Sequence, residues 1–511
     1  MRSHIDIGEK KRRQRRLRLK LFQGLVVIIL AAIAMIPSYL LLKKRYIAQA
    51  KEINKAAATK QETTTANVDG NEEITTLAGD KSAQIVTNTE MAGPYMYLCT
   101  PTPEGGKKPE GAAKSADQEE FMPDFVDTRK HTVVKGVYMT SDGATRNLDN
   151  ILEMIDNTEL NAIYVDIKDD DGRITCEMHG EYIDKFGTSR NFIPDINAFV
   201  KKCKEHNVYL IARVVCFKDP LLAKNAPELA IHHEDGTIYT DYANIKWVNP
   251  GKKEVCDYLI EVAKNCYELG FDEVNFDYMR FPTDGTISDF DLGVEKDERT
   301  KIELVSAAMK YMCEEIKPIG IMVSGDVFGT VISSSIDQKY VGQDFAQLCR
   351  YLDYICPMVY PSHYGDGSYR IDYPDTEPYK LILASMLDAK NVLSVIPDDG
   401  SVNKAEVRPW LQDFTASWVR HHITYGPKEI RDQINATYDA GYQGWSLWNA
   451  AMRYTVSGLY TEEYANEEYK NRPTPTPTPT PTPAATPTKD PNRGEYIDSP
   501  WKAYKETEEN R

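Results

Sequence analysis

In Asp272-Glu-Val-Asn-Phe-Asp-Tyr-Met-Arg-Phe-Pro282 apolar and polar side chains alternate. A period of two predicts a strand with Val274, Phe276 and Tyr278 on one side and Asn275 and Asp277 on the other. A carboxylate on the inner face of an apolar strand is costly unless it has partners. Parallel barrels use such a strand to carry an acid to its carboxyl end. A purely structural alternative is a buried ion pair between Asp277 and Arg213 or Arg280.

Outward from this strand, the pattern recurs from Val133 to about Tyr460. Strand-like runs lie at Val133–Thr140, Ala162–Asp169, Val208–Phe217, Glu273–Phe281, Ile321–Gly329, Tyr354–Pro361, Val407–Phe414 and Gly444–Asn449. Helical patterns separate them at Leu148–Asn157, Ile196–His206, Lys253–Leu269, Thr300–Ile316, Asp344–Tyr351, Thr376–Ala389 and Lys428–Ala440. This alternation predicts an α/β fold, a (β/α)8 TIM barrel occupying residues 123–465. An open doubly wound sheet is the alternative, but neither G-x-G-x-x-G nor a phosphate-binding loop occurs. Arg453–Tyr460 is short for an eighth helix.

The flanks differ in composition. Residues 1–20 are strongly basic and read as a cytoplasmic tail. Leu21–Leu42 is an uncharged run of about 22 residues, long enough for a transmembrane helix. The alternative, a cleaved signal peptide, fits less well, because the apolar run is long and no small-x-small site follows it. The larger basic cluster on the amino side predicts a single-pass anchor with its amino terminus cytoplasmic and the body outside the membrane. Residues 43–122 read as a flexible stalk. Residues 466–511 read as a Pro-Thr spacer of polyproline type with a short tail. The net charge is −16 over 511 residues, and the basic tail makes the rest more acidic still. That balance excludes nucleic acid as the expected partner. The nine cysteines lack C-x-x-C spacing and read as small buried hydrophobes.

In a barrel the chemistry gathers at the carboxyl ends of the strands. Alternation places Asp166 and Lys168 there on strand two, Arg213 on strand three, and Asn275 and Asp277 on strand four. Asp326 follows on strand five, Tyr360 and His363 on six, Gln412 or Asp413 on seven, and Trp448 on eight, with Trp445 turned into the core. Several carboxylates, an arginine and flat aromatic rings on one rim suit sugar chemistry. Glycoside hydrolysis needs one carboxyl to protonate the leaving oxygen and one to attack carbon or activate water. The expected pair is Asp277, kept ionised by Arg213, as nucleophile or base, and Asp326, in an apolar setting, as general acid. Asp413 is the second candidate for the acid. Asp166, Lys168, Arg213, Asn275, Tyr360, His363, Gln412, Asp413 and Trp448 are the expected substrate contacts. The pairs His232-His233 and His421-His422 lack metal-ligand spacing, and Lys168-Asp-Asp-Asp-Gly172 reads as a solvated turn rather than a calcium loop. No metal or cofactor is expected.

Six motifs spanning roughly residues 134–460 carry a resemblance: Lys135-Gly-Val-Tyr-Met-Thr140, Tyr164-Val-Asp-Ile-Lys168, Asn275-Phe-Asp-Tyr-Met-Arg-Phe-Pro282, Pro357-Met-Val-Tyr-Pro-Ser-His-Tyr364, Arg408-Pro-Trp-Leu-Gln-Asp-Phe414 and Gly444-Trp-Ser-Leu-Trp-Asn449. With these the chain resembles a domain-of-unknown-function family of predicted glycoside hydrolases with a TIM barrel. That family is similar to the α-amylase and α-galactosidase groups, where a strand-four Asp is the nucleophile. The resemblance thus implies that role for Asp277. Amylase-like enzymes place a Glu acid after strand five, and here the position holds Asp326. The expected function is hydrolysis of an extracellular polysaccharide or cell-envelope glycan. A non-catalytic glycan-binding or structural envelope barrel is the alternative.

Overall fold

In a computed structural model, the described residues are Met122 and 125–471, except 286 and 397–402. Eight parallel strands close on themselves: β1 (Lys135–Met139), β2 (Ala162–Lys168), β3 (Tyr209–Val215), β4 (Glu273–Asp277), β5 (Met322–Phe328), β6 (Tyr354–Met358), β7 (Trp410–Gln412) and β8 (Trp445–Trp448). Each pairs with the next in sequence. Trp410 pairs with Met358 and with Ser446, and Lys135 pairs with Trp445, which completes the ring. A two-residue strand, Glu406–Val407, adds to β6 just before β7. It breaks the run expected over Val407–Phe414 and leaves β7 only three residues long.

The return helices are α1 (Leu148–Asp156), α2 (Ile196–Glu205), α3 (Lys253–Glu268), α4 (Thr300–Ile316), α5 (Phe345–Leu348), α6 (Pro378–Leu393), α7 (Pro427–Asp439) and α8 (Glu462–Asn471). The Asp195 and Asp344 side chains cap α2 and α5 by accepting the Ala198 and Gln347 amides. The eighth helix starts later than Arg453–Tyr460 and runs across the boundary expected at 465. No helix among the described residues is long and apolar enough to cross a membrane. The span expected at 21–42, its basic tail, nearly all of the stalk and the spacer and tail beyond Asn471 lie outside the described residues.

The core has two parts. Outward residues such as Val274 and Phe276 pack against helices, and a separate inner cluster fills the barrel with Tyr138, Tyr164, Tyr354, Tyr360 and Trp410. Gly136 makes room for that filling: a Cβ there would sit 2.7 Å from the Tyr164 ring. Strand β4 sends three polar groups inward, two residues apart. Glu273 sits lowest, where Arg408 donates to both its carboxylate oxygens and Ser324 Oγ donates to Oε1 at 2.5 Å. Asn275 sits above it and donates to Ser324 Oγ at 3.0 Å. Asp277 ends the strand. The barrel thus carries its polar groups in linked layers, with Asn275 Oδ1 and Arg408 Nε the atoms of these layers that find no hydrogen-bond partner among the described residues.

Candidate active site

Arg213 on β3 organises the top layer. Its Nε and Nη2 donate to Asp277 Oδ2 at 3.0 and 2.5 Å, and its Nη1 donates to Asp166 Oδ1 at 2.7 Å. Tyr138 Oη donates to the other Asp166 oxygen at 2.5 Å. The remaining Asp277 oxygen, Oδ1, accepts the Tyr278 amide at 2.6 Å. That bond needs an unusual backbone: Tyr278 has φ +50°, the left-handed region that costs a side-chain-bearing residue about 1–2 kcal/mol. Strain of this kind concentrates where a site must hold a group in place.

Asp326 on β5 has a different environment. Asn275 Nδ2 and Trp410 Nε1 donate to its Oδ1 at 2.9 and 2.8 Å. Burial, and then the negative charge of Asp277, push its carboxyl up to about 8, outweighing the hydrogen bonds from Asn275 and Trp410. Burial also raises Asp166, to about 6, although Arg213 pulls it down.

Asp277 and Asp326 open into one cavity of about 260 Å³ at the carboxyl end of the strands. Arg213, Tyr360, His363 and Trp448 line it, as the sequence suggested. Removal of water from around the His363 ring lowers its pKa to about 4, so the imidazole is neutral near pH 7. Trp448 faces inward against Tyr138 at 4.2 Å between ring centroids, whereas Trp445 is buried outside the barrel and donates to Tyr438 Oη. Asp166 and Asn275 do not line the cavity; they stand beneath it and hold Arg213 and Asp326.

Three expected substrate contacts lie elsewhere. The β2–β3 register shifts between Asp166 and Lys168, so strict alternation fails there. Lys168 turns out of the barrel, donates to Val215 O at 2.6 Å, pairs with Asp219 at 2.7 Å and sits over the Tyr258 ring. Removing its charge would leave Asp219 buried and unpaired. Lys168→Met is therefore expected to lower the melting temperature without raising KM, as thermal unfolding and glycan kinetics would show. Gln412 is tied to Ser362, Asp375 and Phe414 and braces the loops after β6 and β7. Asp413 is not placed as an acid: its two oxygens accept from the Thr455 amide and hydroxyl at 2.8 and 2.6 Å.

Other residues of the site escaped the sequence reading. Tyr138 and Trp410 share the inward faces of their strands with Gly136 and Gln412, a signal that alternation carries. Asp170 does not follow from any period. The turn after β2 is closed by Asp169, which accepts the Asp171 and Arg173 amides, with Gly172 at φ +78°. It is not simply solvated, because Asp170 reaches the cavity, 3.5 Å from Arg213 and 3.9 Å from Lys218. Phe414 and Trp418, stacked at 18° between ring planes, add an aromatic wall from the loop after β7.

A larger recess of about 510 Å³ lies at the opposite, amino end of the strands, away from Asp277 and Asp326. Asp127, His131 and Asp353 also converge at that end. Arg129 and Lys317 already occupy the Asp353 carboxylate at 2.8 and 2.9 Å, which ill suits a metal ion.

No curated protein matches the chain. Similar solved structures include a hypothetical protein from Ruminiclostridium thermocellum, 33% identical, covering 37% of this chain and 97% of that one, with a TM-score of 0.34. The PgaB (BpsB) glycoside hydrolase domain from Bordetella bronchiseptica is 11% identical, with 62% and 94% covered and a TM-score of 0.45. The α-L-fucosidase isoenzyme 2 from Paenibacillus thiaminolyticus is 13% identical, with 66% and 49% covered and a TM-score of 0.44. The pattern of a sequence family described as "Putative glycosyl hydrolase domain" matches residues 136–454, from Gly136 at the foot of β1 to Tyr454 beyond β8. That match takes in all eight strands but for Lys135, and every residue that lines the Asp277–Asp326 cavity, and the chain belongs to this family.

Proposed function

We propose that the chain is a glycoside hydrolase of two-carboxylate mechanism, acting on an extracellular polysaccharide or a cell-envelope glycan. In this reading residues 21–42 hold it to the cell membrane with the barrel outside. One observation carries the chemistry: two aspartates share a cavity but not an environment. Asp277 has one oxygen on the Arg213 guanidinium and the other on the Tyr278 amide, so it faces a cation and an N–H donor. Asp326 is buried against the negative charge of Asp277 and keeps its proton at neutral pH. This is the division of labour that glycoside hydrolysis requires.

Asp326 gives its proton to the glycosidic oxygen as the bond from that oxygen to the anomeric carbon breaks, the electron pair staying on oxygen. Asp277 either attacks the anomeric carbon, and water then displaces it from the sugar, or takes the proton of the water that attacks the carbon directly. Phe276 pairs with Gly325, so Asp277 and Asp326 stand at neighbouring positions on adjacent strands. A carboxyl-to-carboxyl separation of roughly 5 Å makes Asp277 the nucleophile of a retaining enzyme, and one of about 6.5–9.5 Å makes it the base of an inverting one. Trp448, Tyr360, Phe414 and Trp418 offer flat faces to sugar C–H surfaces.

The pH dependence follows with a definite sign. A general acid works only while protonated, so kcat is expected to fall as pH rises through about 8. Asp326→Asn is expected to lower turnover of a natural glycan by about 10²–10⁴-fold, with a smaller loss on activated aryl glycosides, whose leaving groups need no proton. A rate that stays flat to pH 10 would remove Asp326 from the role. Stability provides a second readout. The folded-state pKa of Asp326 lies above its unfolded value, so its contribution is full below about pH 4 and is lost as pH rises through about 8. Melting temperature measured against pH should lose that slope in Asp326→Asn.

A further inference from the structure

We infer that Trp410 is the positioning residue of the acid: its indole N–H fixes which oxygen of Asp326 carries the proton that reaches the glycosidic bond. The inference rests on the reading of Asp326 as general acid. Both hydrogen bonds to this carboxyl, from Trp410 Nε1 and Asn275 Nδ2, arrive at Oδ1, and no described residue hydrogen-bonds Oδ2. An oxygen that accepts two N–H groups has no room for a proton of its own, so the acid proton resides on Oδ2 and is available to the cavity.

The two donors are not equivalent. An asparagine amide can turn over and present its oxygen instead, whereas an indole nitrogen only donates. Trp410 is also locked in place. It is 1% exposed, its ring packs on Tyr164 at 4.4 Å and stands at 89° to Trp448, and its backbone pairs with β6 and β8 where the barrel closes. The residue that completes the ring of strands therefore also aims the acid. The Trp448 ring that lines the cavity braces it from the side.

The test uses the full chain labelled with 15N in its six tryptophan indoles. The Trp410 resonance is assigned by its loss in Trp410→Phe or, should that variant not fold, by elimination with the other five. Its N–H signal is expected to move with pH, with an inflection near 8, and to lose that inflection in Asp326→Asn. A Trp410 indole indifferent to pH between about 6 and 10 would overturn the inference. In turnover, Trp410→Phe is expected to lower kcat about 100-fold with little change in KM. It should also move the alkaline limb upward, because loss of a donor disfavours the ionised acid. A lower melting temperature with the alkaline limb unmoved would reduce Trp410 to a packing residue. If the parent protein hydrolyses no glycan, the hydrolase reading fails by itself, and the indole titration still decides whether Trp410 holds Asp326.

Discussion

Asp277→Asn is expected to lower glycan turnover by about 10⁴-fold while leaving glycan binding near its parent strength. The size follows from loss of the group that attacks carbon or activates water, a step that no neighbour replaces. Asp326 cannot take over, because it is the protonated partner and its Oδ1 is engaged by Trp410 and Asn275. Binding survives because the aromatic walls and Asp170 are untouched. Asparagine keeps the shape and one acceptor oxygen, so Arg213 retains a partner and the fold should hold. Turnover assays beside calorimetric binding would check both halves. If turnover persisted and only the melting temperature fell, Asp277 would be one half of a structural ion pair.

Arg213→Met is expected to destabilise the barrel by about 3–5 kcal/mol. Removing one partner of a buried charge network leaves the others uncompensated, and the guanidinium here serves Asp277, Asp166 and, at longer range, Asp170. For a domain of this size the loss corresponds to a fall of roughly 4–7 °C in melting temperature. The defect should shrink as pH falls through about 6, since protonation of Asp166 removes one of the charges left unpaired. A melting curve unchanged at neutral pH would mean that the aspartates find other partners. Activity should fall as well, because Asp277 would lose the guanidinium that fixes its Oδ2 in place.

Much of the barrel is legible in the sequence because its two periodicities alternate cleanly. The boundaries of α4 coincide with the expected Thr300–Ile316, and β4 begins at Glu273 as expected. The reading weakens where tertiary pairing overrides local pattern. Strand β7 is cut to three residues because Glu406–Val407 pairs separately with β6. Lys168 leaves the inner face because the ladder slips by one residue beside it, and a slip of one reverses the side a residue faces. At the site, Asp277, Asp326 and Arg213 follow from alternation on well-formed strands. Asp170 does not, because its direction is set by a turn that Asp169 and Gly172 build. Gln412 and Asp413 occupy the right level but serve the loops, and only their partners, Ser362, Asp375 and Thr455, distinguish bracing from binding. Trp410 has a polar N–H in an apolar row, and its importance becomes visible once β7 is placed two strands from β5, so that the indole reaches Asp326 past β6.

The central claim is that the Asp277–Asp326 cavity breaks glycosidic bonds, and reducing-sugar release tests it most directly. The full chain would be offered a panel of α- and β-linked polysaccharides and purified cell wall, with Asp277→Asn alongside. The account predicts release from at least one glycan by the parent protein and none by the variant. Glycan binding by both proteins with release by neither would contradict it, and would make the barrel a glycan-binding module.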